Sequence, residues 1–284
     1  MAFRIIAMSD LHLARKPWQV RRALQMGQGA DLVLLAGDLV NDGTPEQMRE
    51  MRRCIEDKLP ETPVLAVAGN HDYPRLPVPL IPEGVCDYPA IQDWLLHRQP
   101  YPYIRDSSGA YALRAGELEV IGLNCVSHWR RFKFPDGAQL KWLASHLKGS
   151  GAARHIVMCH APLLAHNPKR GDKKPYLSRD DQLQAIIDAH RNIIFLSGHT
   201  HISMDCPGCV EYDADRDNLY INDGSIRPTT LLAGNGVQKA ASGSGNVVEL
   251  RLSPDQIDIA VLSTAGGAPV PEGRRFPDRP RKAE

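Results

Sequence analysis

No stretch of this chain approaches the roughly 20 consecutive apolar residues that a membrane-spanning helix requires. The opening residues, Met1-Ala2-Phe3-Arg4, lead straight into a short apolar run. They lack the charged segment, long apolar stretch and small-residue cleavage site of a secretory signal. The expectation is a soluble, cytoplasmic chain without a membrane partner. An excess of one charge is also missing: 34 Lys plus Arg stand against 33 Asp plus Glu, a formal net charge of +1. A dedicated duplex-DNA binder carries a clearer basic excess, so long nucleic acid is not an expected partner. Close cysteine pairs are scarce. Of six cysteines, only Cys206-Pro-Gly-Cys209 forms a pair, and a zinc ribbon would need a second one. That pair lies in a loop-and-strand pattern rather than at a helix start, which argues against a thioredoxin-like motif. Cys54, Cys125 and Cys159 read as small core residues. No repeat of about 20–50 residues is visible, so solenoids and propellers are not expected.

What is present is an alternation of strand-like and helical segments. Apolar runs at 3–8, 32–36, 64–68, 155–159 and 193–196 read as buried strands, with a pair of antiparallel strands at 110–114 and 118–124. Helical spacing covers 18–28, 45–59, 90–97, 138–147 and 179–190. Thr44 is a plausible N-cap for the second of these, and Pro45 suits its first position. After residue 210 the pattern turns to strands at 210–212, 219–221, 247–252 and 257–262. Early alternation followed by a strand succession implies a layered α/β fold with mixed sheets. One domain over residues 1–265 is expected, followed by a Pro/Arg-rich, mobile tail over 266–284.

The polar residues fall in an informative place. Asp10, Asp38, Asn70, His160 and His199 each directly follow a separate strand run. Ligands of open α/β sheets gather beyond the carboxyl ends of strands, where side chains project from a rigid edge. Asp10 and His12 are two apart, as are His199 and His201, so an extended backbone would point both members of each pair the same way and let them chelate one site. Gly37, Gly69 and Gly198 stand where the backbone must turn sharply or come close to another segment.

Together Asp10-Leu11-His12, Gly37-Asp38, Gly69-Asn70-His71-Asp72, His160 and Gly198-His199-Thr200-His201 resemble the five signature blocks of calcineurin-like metallophosphoesterases. The resemblance spans about residues 3–225. It extends to 136–147, where Gln139 and Trp142-Leu143 look like the helix before the first histidine block of the class III cyclic-nucleotide phosphodiesterase branch. The fold it implies is a four-layer sandwich of two mixed β-sheets flanked by helices. The cofactors it implies are two divalent ions, one held by Asp10, His12, Asp38 and His201, the other by Asp38, Asn70, His160 and His199. No ligand is a thiolate, so manganese, iron, zinc and cobalt all fit. The resemblance further implies phosphoester hydrolysis by metal-activated hydroxide. His71 would act as general acid on the leaving alkoxide, with Asp72 orienting or electrostatically supporting it. Purple acid phosphatases have a tyrosine three residues after the bridging aspartate. Here that residue is Asn41, so a tyrosinate-bound ferric site is not expected.

The expected partner is a small phosphoester, nucleotide-like or otherwise organic, and most readily a diester. A phosphomonoesterase or nuclease-like enzyme is the near alternative, and a non-catalytic metal-binding scaffold the remote one. Two basic segments, 128–133 (His-Trp-Arg-Arg-Phe-Lys) and 169–174 (Lys-Arg-Gly-Asp-Lys-Lys), could wall the substrate site or simply be solvated loops. His166 is expected at the surface, and His97, His146, His155 and His190 carry no expected function. The sequence sets neither the oligomeric state nor the preference between mono- and diesters.

Overall fold

A computed structural model describes residues 2–13, 17–73, 88–124, 137–169, 175–204, 208–223, 225–226, 230–233, 236–239, 245–254, 256–264 and 270–277. The basic segment 128–133 and all of 169–174 except Lys169 lie outside them, as do Cys206 and Cys125.

Two mixed sheets form the centre. In the first, β1 (Phe3–Met8), β2 (Leu32–Leu35) and β3 (Val64–Ala66) run parallel. They are extended on the other side by antiparallel β13 (Asn246–Ser253), β14 (Gln256–Ser263) and β15 (Val270–Pro277). In the second, β6 (Leu118–Leu123), β7 (Arg154–Cys159), β8 (Ile193–Ser197) and β10 (Asn218–Asn222) are parallel neighbours. Antiparallel β4 (Tyr103–Arg105), β5 (Tyr111–Ala115) and β9 (Val210–Asp213) complete that sheet. A separate hairpin pairs β11 (Thr230–Ala233) with β12 (Gly236–Lys239).

The period of two along each strand divides the core. Ile5 and Ala7 of β1 join Leu32, Leu34, Val120, Ile156, Ile194 and Leu219 in a cluster between the sheets. Ile6, Met8, Val33, Val157 and Phe195 face outward, into a cluster shared with the helices. Those helices are α1 (Pro17–Met26), α2 (Pro45–Lys58), α3 (Tyr88–His97), α4 (Ala138–Gly149) and α5 (Asp180–Asp188). The result is the expected arrangement of two mixed sheets with helices outside. Helix α2 starts as its sequence foretells: Gln47 N–H donates to Thr44 Oγ1 at 3.4 Å, with Pro45 in the first turn. Its buried face is Met48, Met51, Cys54 and Ile55.

A hydrogen bond from Tyr111 ties the middle of one sheet to the other. The buried Tyr111 hydroxyl donates to Ala66 O at 2.9 Å, and its ring lies over Gly122, the cross-strand partner of Tyr111, where any Cβ would collide.

Four strands depart from the sequence reading. Strand β15 falls within the segment expected to be a tail, where it pairs with the open edge of β14. The β11–β12 hairpin and the exposed strand β4 lack the apolar alternation by which buried strands are read.

Candidate metal centre

The parallel strands bring five polar strand ends to one edge. Beyond β1 and β2 the backbones remain zipped: Asp10 N–H donates to Gly37 O at 3.0 Å, His12 N–H to Asp38 O at 3.0 Å, and Leu13 N–H to Leu39 O at 3.1 Å. From the other sheet, Gly198 N–H donates to His160 O at 2.9 Å, pairing the ends of β7 and β8.

Two groups of metal-capable side chains result, Asp10–His12–Asp38–His201 and Asp38–His160–His199, each with ligand atoms within 4.8 Å of one another. Asp38 belongs to both. Its Oδ2 is 3.6 Å from His12 Nε2 and 3.4 Å from His160 Nε2. His201 Nε2 lies 3.3 Å from Asp10 Oδ1 and 3.1 Å from His12 Nε2. Two ligands of one tetrahedral zinc-like ion stand about 3.4 Å apart, given metal–ligand bonds of about 2.1 Å. Asn70 fits the same purpose, since its Oδ1 is buried with no hydrogen-bond partner.

The backbone at the centre differs from the expectation. Asp10 (φ 52°), His12 (φ 43°), Asp38 (φ 53°), His199 (φ 69°) and His201 (φ 53°) are left-handed, not extended. Such conformations are costly for residues with a Cβ and tend to gather at functional sites. The strand ends must bend sharply inward to converge, and an extended chain would carry past the crevice. The second histidine pair is also split, His201 lying with Asp10 and His199 with His160. Gly69 is tightly placed, because a Cβ there would strike the Asp38 amide and carboxylate.

The electrostatics suit cation binding. Burial pushes the His12 imidazole down to about 3, with Asp38 opposing and His201, His71 and His160 reinforcing. Burial, then the neighbouring His160, likewise holds His199 well below the ordinary value. Both rings are therefore neutral near pH 7 and offer lone pairs. Burial alone would raise Asp38, but the surrounding histidines, His160 foremost, outweigh it and keep it ionised. The His160 ring is oriented by its Nδ1–H, which donates to Ala36 O at 2.7 Å and turns Nε2 toward Asp38. Ser9 Oγ–H and the His199 N–H both donate to Asp10 Oδ2, at 2.7 and 3.1 Å.

His71 sits beside the centre, its ring 4.6 Å from that of His12 in an edge-on contact. Its N–H donates to Asp38 Oδ1 at 2.7 Å, and its Nδ1–H donates to Asn41 O at 2.6 Å. Asp72 does not orient it as expected. The buried Asp72 carboxylate accepts Val40 N–H at 3.1 Å and Gly69 N–H at 2.8 Å, tying two ligand-bearing loops together. Burial and the Asp38 charge push its carboxyl up to about 8, against those two N–H bonds.

Two neighbours escaped the sequence reading. Asp223, fully buried at the end of β10, lies near Ser9 and Asp10, and burial holds its carboxyl well above the ordinary range. The strand-end rule that found Asp10 would have found it too. Tyr176 meets His199 edge to face, and no local pattern marks it. His166 is engaged elsewhere, stacked on Tyr220 with its Nδ1 2.8 Å from Glu211 Oε2. The Cys209 thiol is buried and donates to Ser203 O.

A two-group Asp/His centre at the carboxyl ends of two facing sheets suits metal-dependent phosphoester chemistry. A sequence model of the calcineurin-like phosphoesterase family matches residues 3–203, and the chain belongs to that family of metal-dependent phosphoric ester hydrolases. It is 27% identical over 214 residues to a probable cyclic nucleotide phosphodiesterase of Synechococcus sp., covering 71% of this chain and 74% of that protein. A probable cyclic nucleotide phosphodiesterase of Moraxella catarrhalis is 36% identical over 100 residues, 28% of this chain and 35% of that one. Purple acid phosphatase PPD1 from yellow lupin seeds shares the fold at a TM-score of 0.62 and 13% identity, with 98% of this chain matching 53% of the lupin chain. Among the described residues, no helix is long and apolar enough to cross a membrane.

Proposed function

We propose that the protein is a dinuclear phosphodiesterase acting on nucleotide-like or other small organic phosphates. The observation that carries this reading is the sharing of Asp38 between the two ligand groups. Asp10, His12, Asp38 and His201 hold one divalent ion, and Asp38, Asn70, His160 and His199 the other. Manganese, iron, zinc and cobalt are all compatible with these oxygen and imidazole donors. Bound there, the ions supply Lewis-acid polarisation of the phosphoryl group and an activated water at neutral pH.

The chain's own part is positioning and proton delivery. His71 Nδ1–H is committed to Asn41 O, so the ring donates through Nε2 only as the imidazolium, with both nitrogens protonated, and keeps its Nδ1–H bond after the Nε2 proton has left. From Nε2 it protonates the leaving oxygen as the phosphoester bond breaks. Asp72 acts on His71 only indirectly, by clamping the Gly69 and Val40 loops. The relatives named as cyclic nucleotide phosphodiesterases support a small diester substrate.

The test is a metal-reconstituted assay with bis-p-nitrophenyl phosphate, p-nitrophenyl phosphate and cyclic nucleotides in parallel. Diester turnover is expected to exceed monoester turnover. The reverse ranking would make the protein a phosphomonoesterase. Absence of turnover on all three, with metal bound, would overturn the small-diester reading and leave the nuclease-like and scaffold readings.

A further inference from the structure

Tyr176 lies in the connection from β7 to α5, the segment that leaves the centre just after His160. Its ring centroid is 4.6 Å from that of His199, with the planes at 82°. His199 belongs to the ligand group that Asp38 shares with His160, so the tyrosine borders that half of the centre. The ring is held firmly. It is half-buried against the helix-side core, and the next residue, Leu177, is fully inside. Further along, Asp180 Oδ1 accepts the Leu164 N–H at 3.0 Å and closes the base of the segment. At the other end of the segment is Lys169, whose charge also acts on His199.

An aromatic ring in this place has no charge with which to recognise phosphate. Its asset is a flat apolar ring, partly exposed, that touches the candidate ligand His199 directly. Planar groups gain from such a surface and aliphatic ones gain little. We infer that Tyr176 sets the selectivity of the site, stacking on a nucleobase or aryl group of the phosphodiester while the ligand side chains address its phosphate. The inference rests on the hydrolase reading above and narrows it to esters bearing a planar aromatic group.

Calorimetry on the metal-loaded enzyme separates the two claims, because it requires no turnover. The probes are adenosine 5′-monophosphate, methyl phosphate and inorganic phosphate, against wild type, Tyr176→Phe and Tyr176→Leu. Wild type should bind the nucleotide more tightly than methyl phosphate. Tyr176→Leu should weaken the nucleotide about tenfold while leaving both small phosphates within about twofold, and Tyr176→Phe should change none of them. In kinetics with bis-p-nitrophenyl phosphate the Leu variant should raise KM rather than lower kcat. Equal wild-type affinity for nucleotide and methyl phosphate overturns the inference, even if the Leu variant fails to fold. So does an equal loss for all three probes, or a Phe variant as impaired as Leu, which would assign the effect to the hydroxyl. A wild-type enzyme that binds metal and nucleotide but cleaves no diester refutes the hydrolase reading, and the binding comparison still decides on Tyr176.

Discussion

The main-chain N–H of His71 donates to one oxygen of the Asp38 carboxylate at 2.7 Å, while the other oxygen faces His12 and His160. The proposed proton donor is thereby fixed to the carboxylate that both ligand groups share. Because the contact is through the backbone, replacing the His71 side chain leaves it in place. His71→Ala should therefore keep its metal content and lose about 10²–10⁴-fold in kcat on substrates with poor leaving groups such as cyclic nucleotides. Activated p-nitrophenyl esters need little protonation and should lose far less. An equal loss on both kinds of substrate argues against the acid role.

Sharing of Asp38 also makes metal loss asymmetric among variants. Asp38→Ala should empty both groups, whereas Asn70→Ala should weaken only the one it serves. Elemental analysis after saturation and desalting checks this, with two ions per chain expected for wild type if each group holds one. Loading should also raise the melting temperature, since an ion that binds only the folded state stabilises it by mass action. A wild type that retains a single ion would contradict the shared-carboxylate geometry.

Gly69 offers a sharper steric test. A Cβ at this position would meet the Asp38 amide and carboxylate, which cannot retreat without dragging both ligand groups. Gly69→Ala should cost at least about a hundredfold in activity, on the scale of a small misplacement of reacting groups. At Gly149, the end of α4, an added methyl would meet nothing within 4 Å, and Gly149→Ala should behave as wild type. Similar activity in the two variants would show that the loops yield more easily than their packing implies.

The sequence made the centre legible because strand ends are a one-dimensional feature. An apolar run followed by Asp, Asn or His can be seen without knowing how strands pair. The same holds for α2, where Thr44 and Pro45 announce the first turn. What escaped depends on tertiary placement. The left-handed backbone of His12, His199 and His201 arises where separate strand ends bend into one crevice, and it leaves no local trace in the sequence. Tyr176 reaches His199 only because the chain from β7 returns past the centre. Asp72 looked like a partner for its neighbour His71, yet its oxygens turn to two main-chain amides instead. Strand β15 was hidden by composition, since Pro and Arg suit an edge strand as well as a tail.

A second cluster, at the other end of the sheet, gives a pH-dependent prediction independent of metal. Register places Glu119 of β6 opposite His155 of β7. Glu119 Oε2 lies 3.0 Å from His146 Nε2 of α4 and 3.4 Å from His155 Nε2, and it accepts the Ser150 hydroxyl at 2.8 Å. Burial alone would raise the Glu119 carboxyl, but the adjacent His146 and His155 rings and the Ser150 hydroxyl outweigh it and hold the group well below its ordinary value of 4.5. A carboxyl lowered by folding stabilises the native state fully above its unfolded pKa and loses that contribution as pH falls toward the folded one. Glu119→Gln should thus cost about 1–2 kcal/mol near pH 7, the scale of charge-assisted bonds within a mostly buried network. The gap in melting temperature between wild type and variant should close as pH drops from about 5 to about 3. A gap that stays constant across that range would mean that Glu119 acts through shape alone, with its charge contributing nothing to the attachment of α4.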